Sequence, residues 1–153
     1  MINIVLYSPE IPQNTGNISR TCAVTGARLH IIKPIGFEIS DRTLRRAGLD
    51  YWSELDVTYY ENYEDFIRQN ENAELYFFSS HAEKSFSGVT YPDNVYLVFG
   101  RESVGLPREL VEENIDRALR IPMRKTLRCL NLSNSVAIAV YEVLRQQNYI
   151  GLE

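Results

Sequence analysis

Three polar, glycine-bearing segments hold most of the residues whose types and spacing could do chemistry. The first is Pro9-Glu10-Ile11-Pro12-Gln13-Asn14-Thr15-Gly16-Asn17-Ile18-Ser19-Arg20-Thr21-Cys22, unusually polar for the start of a helix. Asn14 is a candidate helix cap, and Asn17 and Arg20, three apart, share one helix face on which they can meet a ligand. A plain surface helix is the alternative. The second segment, Phe99-Gly100-Arg101-Glu102-Ser103-Val104-Gly105-Leu106-Pro107, has the Gly-x-x-x-x-Gly spacing of a phosphate loop. Leu106-Pro107 stands where Lys and Ser or Thr would be required, which argues against a nucleotide triphosphatase. What remains is a strand ending in Gly100, where backbone can approach a ligand closely, and a carboxylate two residues on. A tight turn into a helix opened by Pro107 accounts for it equally well. The third segment runs from Ile121-Pro122-Met123 through Arg124 and Arg128 to Leu130-Asn131-Leu132-Ser133-Asn134-Ser135. Helix propensity alone does not select Asn131, Ser133, Asn134 and Ser135, whose side chains compete with the backbone; they suit a ligand-facing helix start.

Other chemistries find little support. A Gly-x-Gly-x-x-Gly fingerprint and a Gly-x-Ser-x-Gly elbow are both absent from the sequence. His30, in a strand-like run, and His81, in a loop, read as ordinary polar residues, and so few histidines assemble no zinc set. No metal is expected. Cys22 and Cys129 make neither a disulfide framework nor a Cys-x-x-Cys knuckle, and no apolar run reaches the roughly 18 residues of a membrane span. A cytoplasmic setting without a membrane partner is the expectation.

The net charge of -4 argues against a nucleic-acid partner only on average. Residues 50–74 hold eight acids against the single base Arg68, whereas residues 117–128 hold five bases. Arg42, Arg45 and Arg46 cluster just before the acidic stretch, and 13 of the 16 basic residues are Arg, whose planar fork suits phosphates and base edges. The plainer reading of such runs is solvated faces with ion pairs.

These segments need a scaffold to hold them together. Short apolar runs predict strands at Ile2–Leu6, Leu29–Ile32, Val57–Tyr60, Leu75–Ser79, Val95–Phe99 and Leu119–Ile121. Helices are expected at Thr15–Thr25, Asp41–Arg46, Tyr63–Gln69 and Leu132–Gln147. Strands separated by helices cannot pair as hairpins, so a single α/β domain over residues 1–153 follows, a parallel sheet with helices on both faces. Ligands of such sheets bind beyond the carboxyl ends of the strands. That rule selects the loops Tyr7–Gln13, Ser79–Lys84, Gly100–Pro107 and Pro122–Asn131. In the last helix Leu132, Val136, Val140 and Val143 form a core stripe, and Asn134, Ile138, Tyr141 and Arg145 lie on another side.

Pro-Glu-Ile-Pro-x-Asn-Thr-Gly-Asn-Ile-x-Arg, Phe-Gly-x-Glu-x-x-Gly-Leu-Pro and Ile-Pro-Met…Leu-Asn-Leu-Ser-Asn-Ser-Val-Ala-Ile together resemble the three motifs of the SPOUT-superfamily tRNA ribose 2'-O-methyltransferases, above all the TrmL-like group. The resemblance implies S-adenosylmethionine as methyl donor, a homodimer and a C-terminal deep trefoil knot. The implied reaction is methylation of the ribose 2'-hydroxyl of the wobble nucleotide, position 34, a cytidine or modified uridine in the anticodon stem-loop of tRNA, with leucine isoacceptors expected. The implied donor pocket comprises Phe78, Ser79, Gly100, Glu102, Gly105, Ile121, Met123, Cys129 and Leu130. Arg20, Asn131 and Ser133 are the implied catalytic residues. On the substrate side stand Asn14, Asn17, Arg42, Arg45, Arg46, Arg124, Arg128 and Tyr141, the last facing either RNA or the second subunit. A ribose methyltransferase acting elsewhere on tRNA or rRNA, and a non-catalytic nucleotide-binding module, are the alternatives.

Overall fold

Side chains on the two sides of a strand alternate, and here both sets are apolar, so neither face of the sheet can be left to water. In β1 (Ile2–Tyr7), Ile2, Ile4 and Leu6 pack on one side and Val5 on the other, all at most 5% exposed. The computed structural model describes residues 1–38, 40, 42, 52–125 and 128–153. Its further strands are β2 (Arg28–Ile32), β3 (Val57–Tyr60), β4 (Leu75–Phe78), β5 (Lys84–Ser85), β6 (Val95–Phe99) and β7 (Ala118–Arg120). Among the described residues these form one seven-stranded sheet in the order β3-β2-β1-β6-β4-β7-β5, with every pair parallel. Ile4 stands in register with Leu29 on one side and Leu97 on the other.

Helices α1 (Pro12–Thr25) and α4 (Leu132–Gln146) cover one face of the sheet, where Ile18 and Cys22 join Val136, Ala139, Val140 and Val143 in one cluster. Helices α2 (Tyr63–Gln69) and α3 (Arg108–Glu113) cover the other face, with Phe66, Leu110 and Val111 over Val5, Phe77 and Val98. Removing each such side chain from water is worth roughly 1.5–3 kcal/mol. Because all strands run the same way, the loops after β1, β4, β6 and β7 leave by one edge.

Several boundaries differ from expectation. Helix α1 begins at Pro12, not Thr15, since proline lacks only an amide that the first turn leaves unbonded anyway. Ser79 and Ile121 stand just outside their strands, and the two-residue β5 was not anticipated because so short a run carries no period. The expected helix Asp41–Arg46 lies outside the described residues except for Arg42, which is exposed.

Candidate active site

The strand-end loops enclose a cleft of about 290 Å³, near the lower end of the range for small-molecule sites. All nine residues of the expected donor pocket line it: Phe78, Ser79, Gly100, Glu102, Gly105, Ile121, Met123, Cys129 and Leu130. The reading from sequence missed Ser80, His81, Phe99, Arg101, Ser103, Val104 and Leu106, which also line it, as does Ser135, read from sequence as part of a ligand-facing helix start but not placed in the donor pocket. All but Phe99 and Ser135 lie in two of the loops already selected, so the strand-end rule was the signal that could have found them. Phe78 and Phe99 stack at 4.7 Å between ring centroids, which stiffens the ends of β4 and β6. Opposite, the backbone N–H of Leu130 donates to Met123 Sδ at 3.3 Å and ties the two ends of the basic loop together.

Gly100 is a glycine for a reason other than the one expected. A Cβ at this position would fall 2.1 Å from both the carbonyl carbon of Gly105 and the nitrogen of Leu106. The loop itself, which folds back so that Gly105 N–H donates to Arg101 O at 2.9 Å, excludes any side chain there. Gly105 has φ +72°, a left-handed conformation that glycine adopts without strain, and nothing lies within 4 Å of where its Cβ would stand.

Asn14 and Glu102 also have other tasks than those expected. Asn14 is not the cap of α1: the cap position belongs to Ile11, whose side chain bonds nothing there. Asn14 is buried, and its Nδ2 donates to Glu102 Oε1 at 3.4 Å. The Glu102 carboxylate also accepts from the backbone N–H groups of Glu10 at 2.8 Å and Ile11 at 3.1 Å. Carboxylate charge at a helix N-terminus is favourable, and here it is supplied from the loop after β6, far away in sequence. Glu102 therefore reaches the cleft wall with its oxygens committed to the entry of α1.

At the start of α4, Asn131 Oδ1 accepts from Ser133 N at 2.9 Å and from Ser133 Oγ at 2.6 Å. This cap fixes the helix start next to Leu130 while Ser133 is buried; among the described residues, Asn131 Nδ2 has no hydrogen-bond partner. Neither residue lines the cleft, and neither does Arg20. Asn17, Arg20 and Val24 are exposed along one side of α1, as are Ile138, Tyr141 and Arg145 along α4. Arg124 and Arg128 are exposed, whereas Arg117 of the same basic run is paired with Glu74 and lies over the Tyr76 ring. Arg45 and Arg46 lie outside the described residues.

His30 sits mid-strand, away from the cleft. Its Nδ1 lies 2.8 Å from Tyr60 Oη and its Nε2 3.1 Å from Asn3 Oδ1, and burial pushes its pKa down to about 4. A neutral ring with both nitrogens engaged is a structural group. Among the described residues no three His, Cys, Asp or Glu side chains converge as a metal site, and no helix is long and apolar enough to cross a membrane.

The model of the SpoU rRNA methylase family matches residues 1–141. The chain is 47% identical over 152 residues to an Escherichia coli protein named tRNA (cytidine(34)-2'-O)-methyltransferase, covering 99% of this chain and 97% of that one. A solved structure described as giving structural insights into the 2-OH methylation of C/U34 on tRNA is 42% identical, superposes with a TM-score of 0.87 and covers 97% of each chain. An AdoMet-bound rRNA methyltransferase from Sinorhizobium meliloti is 26% identical with a TM-score of 0.81, over 94% of this chain and 56% of that one.

Proposed function

We propose that this chain, which belongs to the SpoU rRNA methylase family, transfers a methyl group from S-adenosylmethionine to the ribose 2'-hydroxyl of cytidine or modified uridine 34 of tRNA. The observation that carries the reading is a single cleft lined by all nine residues of the expected donor pocket, with the arginine of the first motif exposed on the neighbouring helix. The cleft suits the donor in kind. Leu106, Ile121, Met123 and Leu130 offer apolar walls to a flat base, the open space at Gly105 admits a ligand against backbone, and the Ser79 and Ser135 hydroxyls add polar contacts. When bound, S-adenosylmethionine supplies an electrophilic methyl carbon on a sulfonium.

The chain's own contribution is alignment and charge. Holding reacting groups in line supplies up to roughly 7–11 kcal/mol of barrier reduction. As the methyl passes to O2' and S-adenosylhomocysteine leaves, the hydroxyl proton goes to solvent; a guanidinium stays protonated and accepts protons poorly, so Arg20 stabilises the oxygen as it loses that proton, or holds a phosphate beside it. Asn131 and Ser133 keep the start of α4 rigid next to the donor cleft, with the Asn131 amide donor free for the substrate. Asn17, Arg42, Arg124 and Arg128 contribute phosphate contacts from the surface.

The reading includes a homodimer. Arg20 does not line its own chain's cleft, and the exposed stripes of α1 and α4, with Val24 62%, Ile138 38% and Tyr141 48% exposed, suit an isologous contact that brings Arg20 of one subunit to the cleft of the other. It also includes the trefoil knot, supported by β7 lying inside the sheet between β4 and β5 and leading to α4, which packs back on α1. Leucine isoacceptors and the cytoplasm complete it. The test incubates purified protein with tRNA and methyl-labelled donor and maps the label by mass spectrometry. Label on the ribose of nucleotide 34 is expected; label elsewhere, or none from a preparation that binds S-adenosylhomocysteine, overturns the reading. Sedimentation as an 18 kDa monomer at micromolar concentration overturns the dimer.

A further inference from the structure

The donor cleft and the start of α1 are tied by contacts that none of the assignments above uses. Glu10 Oε1 accepts from Ser103 Oγ at 2.7 Å and lies 3.9 Å from Arg101 Nε. In return, the Glu10 backbone N–H donates to Glu102 Oε2 at 2.8 Å. Each segment thus offers a carboxylate to a donor of the other, and the two are interlocked rather than merely adjacent. Gly36 braces the outside: its N–H donates to Pro9 O at 2.9 Å, and a Cβ there would stand only 3.0 Å from Glu10 Cα.

One side of residues 101–103 lines the donor cleft. Past the latch, Glu10 and Ile11 lead directly into α1, which carries Asn17 and Arg20. A hydrogen-bonded helix transmits a displacement of its first turn to residues two turns on, whereas a loosely attached loop absorbs it.

We propose that Glu10 is a positioning residue: through Ser103 and Arg101 it joins the donor cleft to α1, so that a ligand in the cleft sets the position of Arg20 and raises the affinity for RNA. The inference rests on the proposed function for what occupies the two sites, and adds the coupling between them. Linkage requires the same factor in both directions, RNA tightening the donor site as much as the donor tightens the RNA site.

The probes are S-adenosylhomocysteine and a tRNA lacking the wobble methyl group, with RNA affinity measured in the absence and presence of saturating S-adenosylhomocysteine. In the wild type the ligand tightens RNA binding about tenfold, within the usual range of coupling between sites. Glu10→Ala and Ser103→Ala each reduce the factor to below about twofold, and the double variant falls no further because both remove one contact. Glu10→Gln, whose amide oxygen still accepts from Ser103, keeps most of the coupling. A purely structural loss would lower the unfolding temperature without this pattern. Should Glu10→Ala fail to fold, Ser103→Ala, which removes a single hydroxyl from an exposed residue, carries the same test. Wild-type RNA affinity indifferent to S-adenosylhomocysteine, or coupling undiminished in both single variants, overturns the latch. Methylation of nucleotide 34 by the same preparation would leave the proposed function standing in that event.

Discussion

Replacing Gly100 by alanine asks whether the 100–106 loop is the wall of the donor site. The new Cβ would stand 2.1 Å from Gly105 C and Leu106 N, against the 3.4 Å at which ordinary contact begins, so the loop must open by about 1.3 Å. Lengthening the 2.9 Å bond from Gly105 N to Arg101 O by that amount breaks it, a loss of about 0.5–1.5 kcal/mol. Overpacking against Leu106 adds about 1–3 kcal/mol. The sum, roughly 1.5–4.5 kcal/mol, is less than the 5–15 kcal/mol by which domains are typically stable, so the variant folds with a deformed loop. A ligand that requires the closed loop must supply this energy on binding, and its affinity falls by roughly 10- to 1,600-fold. Calorimetric titration with S-adenosylhomocysteine and urea unfolding read the two quantities separately. Gly105→Ala is the control: φ +72° with no clash predicts only about 1–2 kcal/mol of left-handed strain and a smaller effect on binding. A folded Gly100→Ala protein with wild-type affinity for S-adenosylhomocysteine would refute the pocket.

Arg20→Ala should abolish methyl transfer while leaving S-adenosylhomocysteine affinity within about twofold, as the side chain lines no part of its own chain's cleft and is assigned to the acceptor oxygen or its phosphate. If the site is shared across the dimer, randomly mixing inactive Arg20→Ala subunits with Gly100→Ala subunits, at a donor concentration too low to fill the Gly100→Ala cleft, restores about a quarter of the wild-type sites; no recovery assigns Arg20 to its own chain. Arg124→Ala with Arg128→Ala should weaken tRNA binding and reduce the slope of log affinity against log salt by up to about 2, and an unchanged slope would remove both from the RNA surface. For His30, a folded-state pKa of about 4 against 6.5 means that the unfolded chain binds more protons between these values. Its contribution is therefore intact above pH 6.5 and diminishes by roughly 3 kcal/mol as pH falls to 4. Urea unfolding of wild type and His30→Asn at pH 7.5 and 4.5 measures this, and the same pH dependence in both would contradict it.

Apolar runs separated by helix-patterned segments were enough to establish a parallel sheet covered on both faces, because strand spacing and alternation are local properties. The same local reading located the loops that line the cleft: parallel strands send their carboxyl ends to one edge, and every expected pocket residue lies at that edge. Asn131, at the head of a run of polar residues, was legible as part of a helix start because its partner Ser133 is two residues away. Glu102 was not legible as the anchor of α1, since its partners Glu10, Ile11 and Asn14 lie about ninety residues upstream. Asn14 looked like a surface cap until packing buried it against that carboxylate. Gly100 was recognised as a place of close approach, but only the folded loop shows that the approaching atoms are the chain's own. Local pattern determines which elements form and which edge they feed. Which side chain meets which across that edge depends on strand order, with β6 inserted between β1 and β4, and that order is decided by packing among residues distant in sequence.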